Sequence, residues 1–145
     1  LLSKLKGELY GNDISEEMLN VARKKLTNVK LQKADVHKLP FKDNYFDYVI
    51  STESFHHYYD QEKAIKEMVR VCKQGGKVII VDVNFFFDIK HRIFEKFEPG
   101  CVKINNKKEM KILFENVRLK EIKQKRTFLF AIMTEGIKPT QSKLL

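Results

Sequence analysis

A chain of 145 residues with 43% hydrophobic side chains suits one domain with a real core, so disorder is not the default for this composition. Its longest apolar runs, residues 78–81, 85–87 and 128–133, fall far short of the roughly 20 residues a membrane span needs. The formal net charge of +9 comes mostly from Lys, with Arg only at positions 23, 70, 92, 118 and 126. Lysines on helix exteriors describe a solvated face better than a surface built to fork onto phosphates, so nucleic-acid binding is disfavoured. Cys72 and Cys101 form no CxxC and no disulfide framework, and the first residues do not read as a signal peptide, which together favour a reducing, cytoplasmic setting.

Strand and helix signals alternate along the chain, the pattern of a parallel sheet with helices on its faces. Residues 1–6 read as the tail of a helix stopped by Gly7, and residues 8–13 as a short strand. Ser15 caps a helix to about Leu26, with Glu16 and Glu17 in its first turn and a buried stripe of Met18, Leu19, Ala22 and Leu26. A second strand covers 28–34, a loop with Pro40 covers 35–44, and a third strand covers 45–51. Asp60 caps a helix whose stripe is Ala64, Ile65, Met68 and Cys72, ended by Gly75 and Gly76. Residues 77–83 are nearly all apolar, as in a central strand covered on both faces. Residues 87–97 read as helical, and Asn106 followed by Glu109 forms a capping box for a helix to about Phe114. Residues 117–123 and 127–134 read as an antiparallel hairpin turning at 124–126, its first strand a charged sheet edge and its second buried. Residues 137–145 read as a frayed tail.

Ligands of an open parallel sheet bind at the carboxyl ends of its strands, and three such ends carry polar residues here. Asp13 ends the first strand just before a helix, where an acid accepts from both hydroxyls of a ribose; the competing role is helix capping. In that arrangement the acid follows a glycine-rich turn by about 20 residues, which points to a strand and glycine loop ahead of residue 1 and to a longer parent chain. Asp35 ends the next strand 22 residues on; its carboxylate suits an exocyclic amine and the Val36 N–H a ring nitrogen, with an Asx-type turn as the alternative. After the third strand, Ser51-Thr52-Glu53-Ser54-Phe55-His56-His57 stays irregular until Asp60 and suits a loop facing substrate. His56 or His57 could serve as general base. Adjacent histidines tend to diverge, and no metal-type spacing occurs elsewhere, so no metal site is expected.

An ordered set of five segments carries a family resemblance. They are Gly11-Asn12-Asp13-Ile14-Ser15-Glu16-Glu17-Met18-Leu19; Ala34-Asp35 with Leu39-Pro40-Phe41; Asn44-Tyr45-Phe46-Asp47-Tyr48-Val49-Ile50; His56-His57; and Glu67-Met68-Val69-Arg70-Val71-Cys72-Lys73-Gln74-Gly75-Gly76-Lys77. Together they resemble a class I S-adenosylmethionine-dependent methyltransferase of the group acting on quinones, sterols and other small molecules. The resemblance implies an α/β, Rossmann-like, mostly parallel sheet with a C-terminal antiparallel hairpin, lacking the family's first strand and glycine-rich loop. It implies a methyltransferase domain over residues 1–136, followed by the tail 137–145. By resemblance, Asp13 holds the ribose, Ile14 packs on adenine, and Asp35 and Val36 read the adenine edge. Ser51 and Thr52 lie near the methionine moiety, and His56 and His57 at the substrate mouth. Gln74 stands where the family has proline.

The implied chemistry is transfer of the sulfonium methyl of S-adenosylmethionine to a small-molecule acceptor, with the protein orienting the reactants and removing a proton where one must leave. The acceptor and oligomeric state are not legible; residues 85–100 are the expected source of the acceptor pocket. Two other readings compete. A nicotinamide-dependent oxidoreductase shares the ribose acid but not the Leu39-Pro40-Phe41 run or the antiparallel end. An inactive methyltransferase-like module binding RNA or a protein partner draws on the absent loop and the basic charge.

Overall fold

A computed structural model describes residues 7–85 and 88–140, and the chain divides into two units, residues 1–40 and 41–145. The readings made for residues 1–6, Phe86, Phe87 and 141–145 lie outside the described residues.

The first unit is a βαβ turn of chain: β1 (Leu9–Asp13), α1 (Glu16–Lys25) and β2 (Val29–Lys33). β1 and β2 pair in parallel from Leu9↔Val29 to Asp13↔Lys33, and α1 is the crossover a parallel pair requires. The Ser15 hydroxyl accepts from the Met18 N–H, Glu16 and Glu17 occupy the first turn, and Arg23, Lys24 and Lys25 the last, all in the sense the helix dipole favours. Gly11 permits the close approach of Leu31, since a Cβ there would stand 2.8 Å from Leu31 Cδ2. The expected stripe is narrower than the sequence suggests. Leu19 is buried at 1% exposure, Ala22 and Leu26 are half-buried, and Met18 is 57% exposed. Met18 lies about 100° around the helix from Leu19, outside the line that meets the two strands.

The second unit contains β3 (Phe46–Thr52), a 3-10 turn (Phe55–His57), α2 (Gln61–Val71), β4 (Cys72–Val83), α3 (Asp88–Phe97), α4 (Lys107–Asn116), β5 (Lys120–Phe128) and β6 (Ala131–Ile137). Its sheet has the order β3-β4-β6-β5, with β3 parallel to β4 and with β6 antiparallel to both β4 and β5. This is the expected Rossmann-like α/β arrangement closed by a reversed hairpin. Asp60 caps α2 by accepting from the Lys63 N–H, and Ala64, Ile65, Met68 and Val71 are buried where α2 packs on β3 and β4. Each large side chain so buried contributes roughly 1.5–3 kcal/mol. The Asn106–Glu109 capping box forms in both directions at the start of α4.

Three readings are corrected. α2 stops at Val71, and Cys72 opens β4, so Gly75 and Gly76 lie inside a strand rather than beyond a helix. Gly75 has φ +75° and donates its N–H to the Lys138 carbonyl; at Gly76 a Cβ would stand 2.8 Å from both the Asp47 carbonyl and Cys72 Sγ. The glycines therefore serve a bent strand start. The hairpin turns after Phe128, not at 124–126: that polar triplet belongs to an exposed edge strand, where polarity marks solvent rather than a turn. Finally, Ile137 is not frayed but pairs with Lys77 and Lys120. Lys138 Nζ donates to Asn44 Oδ1 and to the carbonyls of Val69 and Cys72 at 2.8–2.9 Å, satisfying carbonyls around the end of α2.

Candidate functional site

In the first unit the two strand-end acids stand side by side. Asp13 is the last residue of β1, and its carbonyl accepts from the Ala34 N–H at 3.0 Å, which brings the chain to Asp35. Asp13 Oδ1 accepts from the Ser15 N–H at 2.8 Å, so this carboxylate does help fix the entry to α1, the competing role weighed above. Ile14 follows with 63% of its surface exposed, an apolar side chain open to solvent just after the strand-end acid. Asp35 Oδ1 accepts from the His37 N–H at 2.9 Å and pairs with His37 Nδ1 at 2.5 Å, the Asx-type turn at this strand end. His37, 5% exposed, is a partner that sequence reasoning passed over; Val36 is half-buried between them.

In the second unit β3 ends at Ser51 and Thr52. Ser51 is buried, with its hydroxyl 3.0 Å from that of Tyr58, while Thr52 is exposed and its carbonyl accepts from the Ser54 hydroxyl. Glu53 takes φ +52°, a left-handed conformation uncommon outside glycine, and is pinned there by its N–H donating to the Val81 carbonyl. The chain then enters the 3-10 turn carrying His56 and His57.

His56 is 5% exposed and donates from Nδ1 to Asp82 Oδ1 at 2.6 Å. Burial pulls its pKa down, but the hydrogen bond and charge of Asp82, followed by the charges of Glu98 and Glu53, outweigh that and hold it above the ordinary value. Asp82, 2% exposed, is the principal residue the sequence reading missed. Its signal was present: period two from buried Val78 and Ile80 puts Asp82 on the same inward face of β4. An acid there needs a partner, and His56 supplies it.

Against the expectation that they diverge, the two histidine rings lie 4.1 Å apart between centroids. His57 is exposed and donates from Nδ1 to the Gly100 carbonyl at 2.9 Å. The segment after α3 is stitched onto the 3-10 turn: the N–H groups of Val102 and Lys103 donate to the His56 carbonyl, and Gln61 Nε2 donates to the carbonyls of Phe55 and Lys103. Asn105, Asn84 and Arg126 extend this support: Asn105 Nδ2 donates to Gln61 Oε1, Asn84 Nδ2 to the Asn105 carbonyl, and the Arg126 guanidinium to both oxygens of Asn84. Phe85, Lys90, Ile93, Phe94 and Phe97 line a cavity of about 300 Å³. The Phe94 ring is 6.4 Å from that of His56, so the cavity wall reaches the dyad. No helix among the described residues is long and apolar enough to cross a membrane.

A family model described as a methyltransferase domain matches residues 1–80. A demethylmenaquinone methyltransferase from Bacillus mycoides is 30% identical over 162 residues, covering 92% of this chain and 68% of that one. One from Staphylococcus aureus is 43% identical over 81 residues, covering 54% of this chain and 34% of that one, so the chain spans about a third of that relative. The solved structure of a SAM-dependent methyltransferase from Aquifex aeolicus superposes with a TM-score of 0.67 at 22% identity, covering 92% of this chain and 70% of the other, a likeness of fold. The chain belongs to the methyltransferase domain family, the S-adenosylmethionine-dependent enzymes of the Rossmann-like class. The cofactor of that class is S-adenosylmethionine, and the acids Asp13 and Asp35 with the exposed Ile14 are side chains of the chemistry an adenosine takes.

Proposed function

We propose that this chain methylates an apolar, ring-bearing small molecule held in the cavity of Phe85, Ile93, Phe94 and Phe97, with His56 as the base that takes the acceptor's proton. The observation that carries this reading is the buried His56–Asp82 pair beside that cavity. S-adenosylmethionine supplies, when bound, a methyl carbon already activated by its sulfonium. With that carbon taken up by the acceptor atom and the sulfur leaving as the thioether, His56 Nε2 would take the proton that the acceptor gives up. Asp82 fixes Nδ1 as the protonated nitrogen, leaves Nε2 basic, and stabilises the imidazolium that results. A quinol is the acceptor that the named relatives favour, and the aromatic walls suit its ring. Asp13 would hold the ribose, Ile14 the adenine face, and Asp35 with the Val36 N–H its edge; Ser51 and Thr52 would stand toward the methionine end, and His57 at the substrate mouth.

The test is methyl transfer from S-adenosylmethionine to demethylmenaquinol by wild type, His56→Gln and Asp82→Asn, with cofactor affinity measured by calorimetry. Both variants should lose roughly 10²–10⁴-fold in kcat and keep cofactor affinity within about twofold. Wild-type kcat in His56→Gln would remove His56 from the reaction. For the cofactor, Asp13→Ala should weaken S-adenosylmethionine tenfold or more, on the scale of one to two charge-assisted hydrogen bonds at about 1.5–3 kcal/mol each.

A further inference from the structure

We propose that His56, His57 and Glu98 form a binding site for a divalent transition metal. One ligating atom from each of the three lies within 4.8 Å of the other two. The surroundings prepare the histidines to ligate. Each Nδ1 is committed to an acceptor, the Asp82 carboxylate for His56 and the Gly100 carbonyl for His57. When the rings are neutral, both therefore carry the proton on Nδ1 and the lone pair on Nε2. A histidine held by a carboxylate or a backbone carbonyl on its far nitrogen is the outer-shell arrangement that orients imidazole ligands in metal sites.

The donor set selects the metal class. Two imidazole nitrogens and one carboxylate suit Zn²⁺, Co²⁺ or Ni²⁺, whereas Mg²⁺ and Ca²⁺ take oxygen ligands. Three protein ligands leave a fourth position for water. At metal–ligand bonds of about 2.0–2.2 Å the ligating atoms of a tetrahedral site stand roughly 3.4 Å apart, so atoms now up to 4.8 Å apart must close by as much as about 1.4 Å. His57 is exposed and Glu98 is half-buried at the end of α3, so both have room to close on His56, which is fixed by Asp82 and by the Val102 and Lys103 N–H groups. Gly100, at φ +77°, turns the chain after Glu98 so that its carbonyl meets His57. Metal on His56 Nε2 occupies the atom to which the acceptor's proton is assigned above, so occupancy should silence methyl transfer. Only this last consequence rests on the proposed function; the site stands on its own geometry.

The experiment titrates the full chain with Zn²⁺ by calorimetry and with Co²⁺ by visible absorption. Wild type should bind one equivalent and give the d–d bands of four-coordinate Co²⁺. Glu98→Gln and His57→Gln should each weaken Zn²⁺ tenfold or more, and Asp82→Asn, which leaves all three ligands in place, by 10–100-fold. Cys101→Ser should bind as wild type does; loss of binding there would assign the metal to the thiol and overturn the site. Zn²⁺ affinity within twofold of wild type in both Glu98→Gln and His57→Gln would also overturn it. Both ligands are on or near the surface, and a thermal-unfolding curve on each variant confirms that the comparison is between folded chains. Since metal binding is read without methyl transfer, a failed His56→Gln assay and a failed titration are separate results.

Discussion

His56 and Asp82 are 26 residues apart in the chain and 2.6 Å apart in the fold, both buried. Removing one member of such a pair strands the other without a partner. Asp82→Ala should cost about 3–5 kcal/mol of stability, while Asp82→Asn, which keeps an oxygen acceptor, should cost markedly less. Chemical denaturation of the two variants checks this; equal losses would show that the aspartate's negative charge, which both variants remove, and not its oxygen acceptor alone, is what His56 requires.

Phe97 keeps 75% of its surface exposed although it lines the cavity. Phe97→Ala should leave the unfolding midpoint almost unchanged and raise KM for an apolar acceptor about five- to tenfold, the equivalent of roughly 1–1.4 kcal/mol of lost apolar contact. Steady-state kinetics with acceptors of increasing apolar size measure it. A KM independent of this substitution would place the acceptor elsewhere.

Gly75 and Gly76 differ in what they tolerate. A Cβ at Gly76 would meet backbone oxygens of Asp47 and Lys73 at 2.8 and 2.9 Å, so Gly76→Ala should destabilise by about 1–3 kcal/mol. At Gly75 the nearest neighbour is 3.9 Å away and only the positive φ resists, so Gly75→Ala should cost nearer 1 kcal/mol. Denaturant midpoints of the two variants give the order directly.

Burial pushes the Cys72 thiol up to about 11, against a smaller opposing effect from Lys138. At pH 8 its thiolate is then roughly a hundredfold scarcer than that of an ordinary thiol, and alkylation of the native chain should leave Cys72 unmodified. The folded value lies above the unfolded one. This thiol's contribution to stability is therefore complete below about pH 9 and disappears as pH rises through about 11. Mass spectrometry after alkylation at pH 8, native and in denaturant, tests the first claim, and unfolding from pH 8 to 11 tests the second.

The parts legible in the sequence are those encoded locally. Ser15, Asp60 and the Asn106–Glu109 box cap helices with partners three residues away, and each forms as read. Asp13 and Asp35 were legible because a strand end is a local event. The parts missed depend on distant chain. Cys72 fits the helical spacing of Ala64, Ile65 and Met68 equally well, and the positive φ of Gly75 with the Lys138 contacts decides for the strand. Gln124, Lys125 and Arg126 read as a turn by composition, and only their pairing with Thr134, Met133 and Ile132 makes them an edge. Asp82 hid in an apolar strand because its meaning comes from a histidine on another element.

The segment between α3 and α4 has no regular secondary structure, yet its amides are occupied. Val102 and Lys103 donate to the His56 carbonyl, and Ile104 donates to Glu95 Oε1 at 2.7 Å. Loops lacking such partners exchange their amide protons with solvent almost as fast as an open chain. These three should instead exchange slowly, since the Gln61, Asn105 and Asn84 links hold the same stretch of chain in place around them. Seen on the clock of deuterium uptake, this stretch would behave as though it belonged to the sheet.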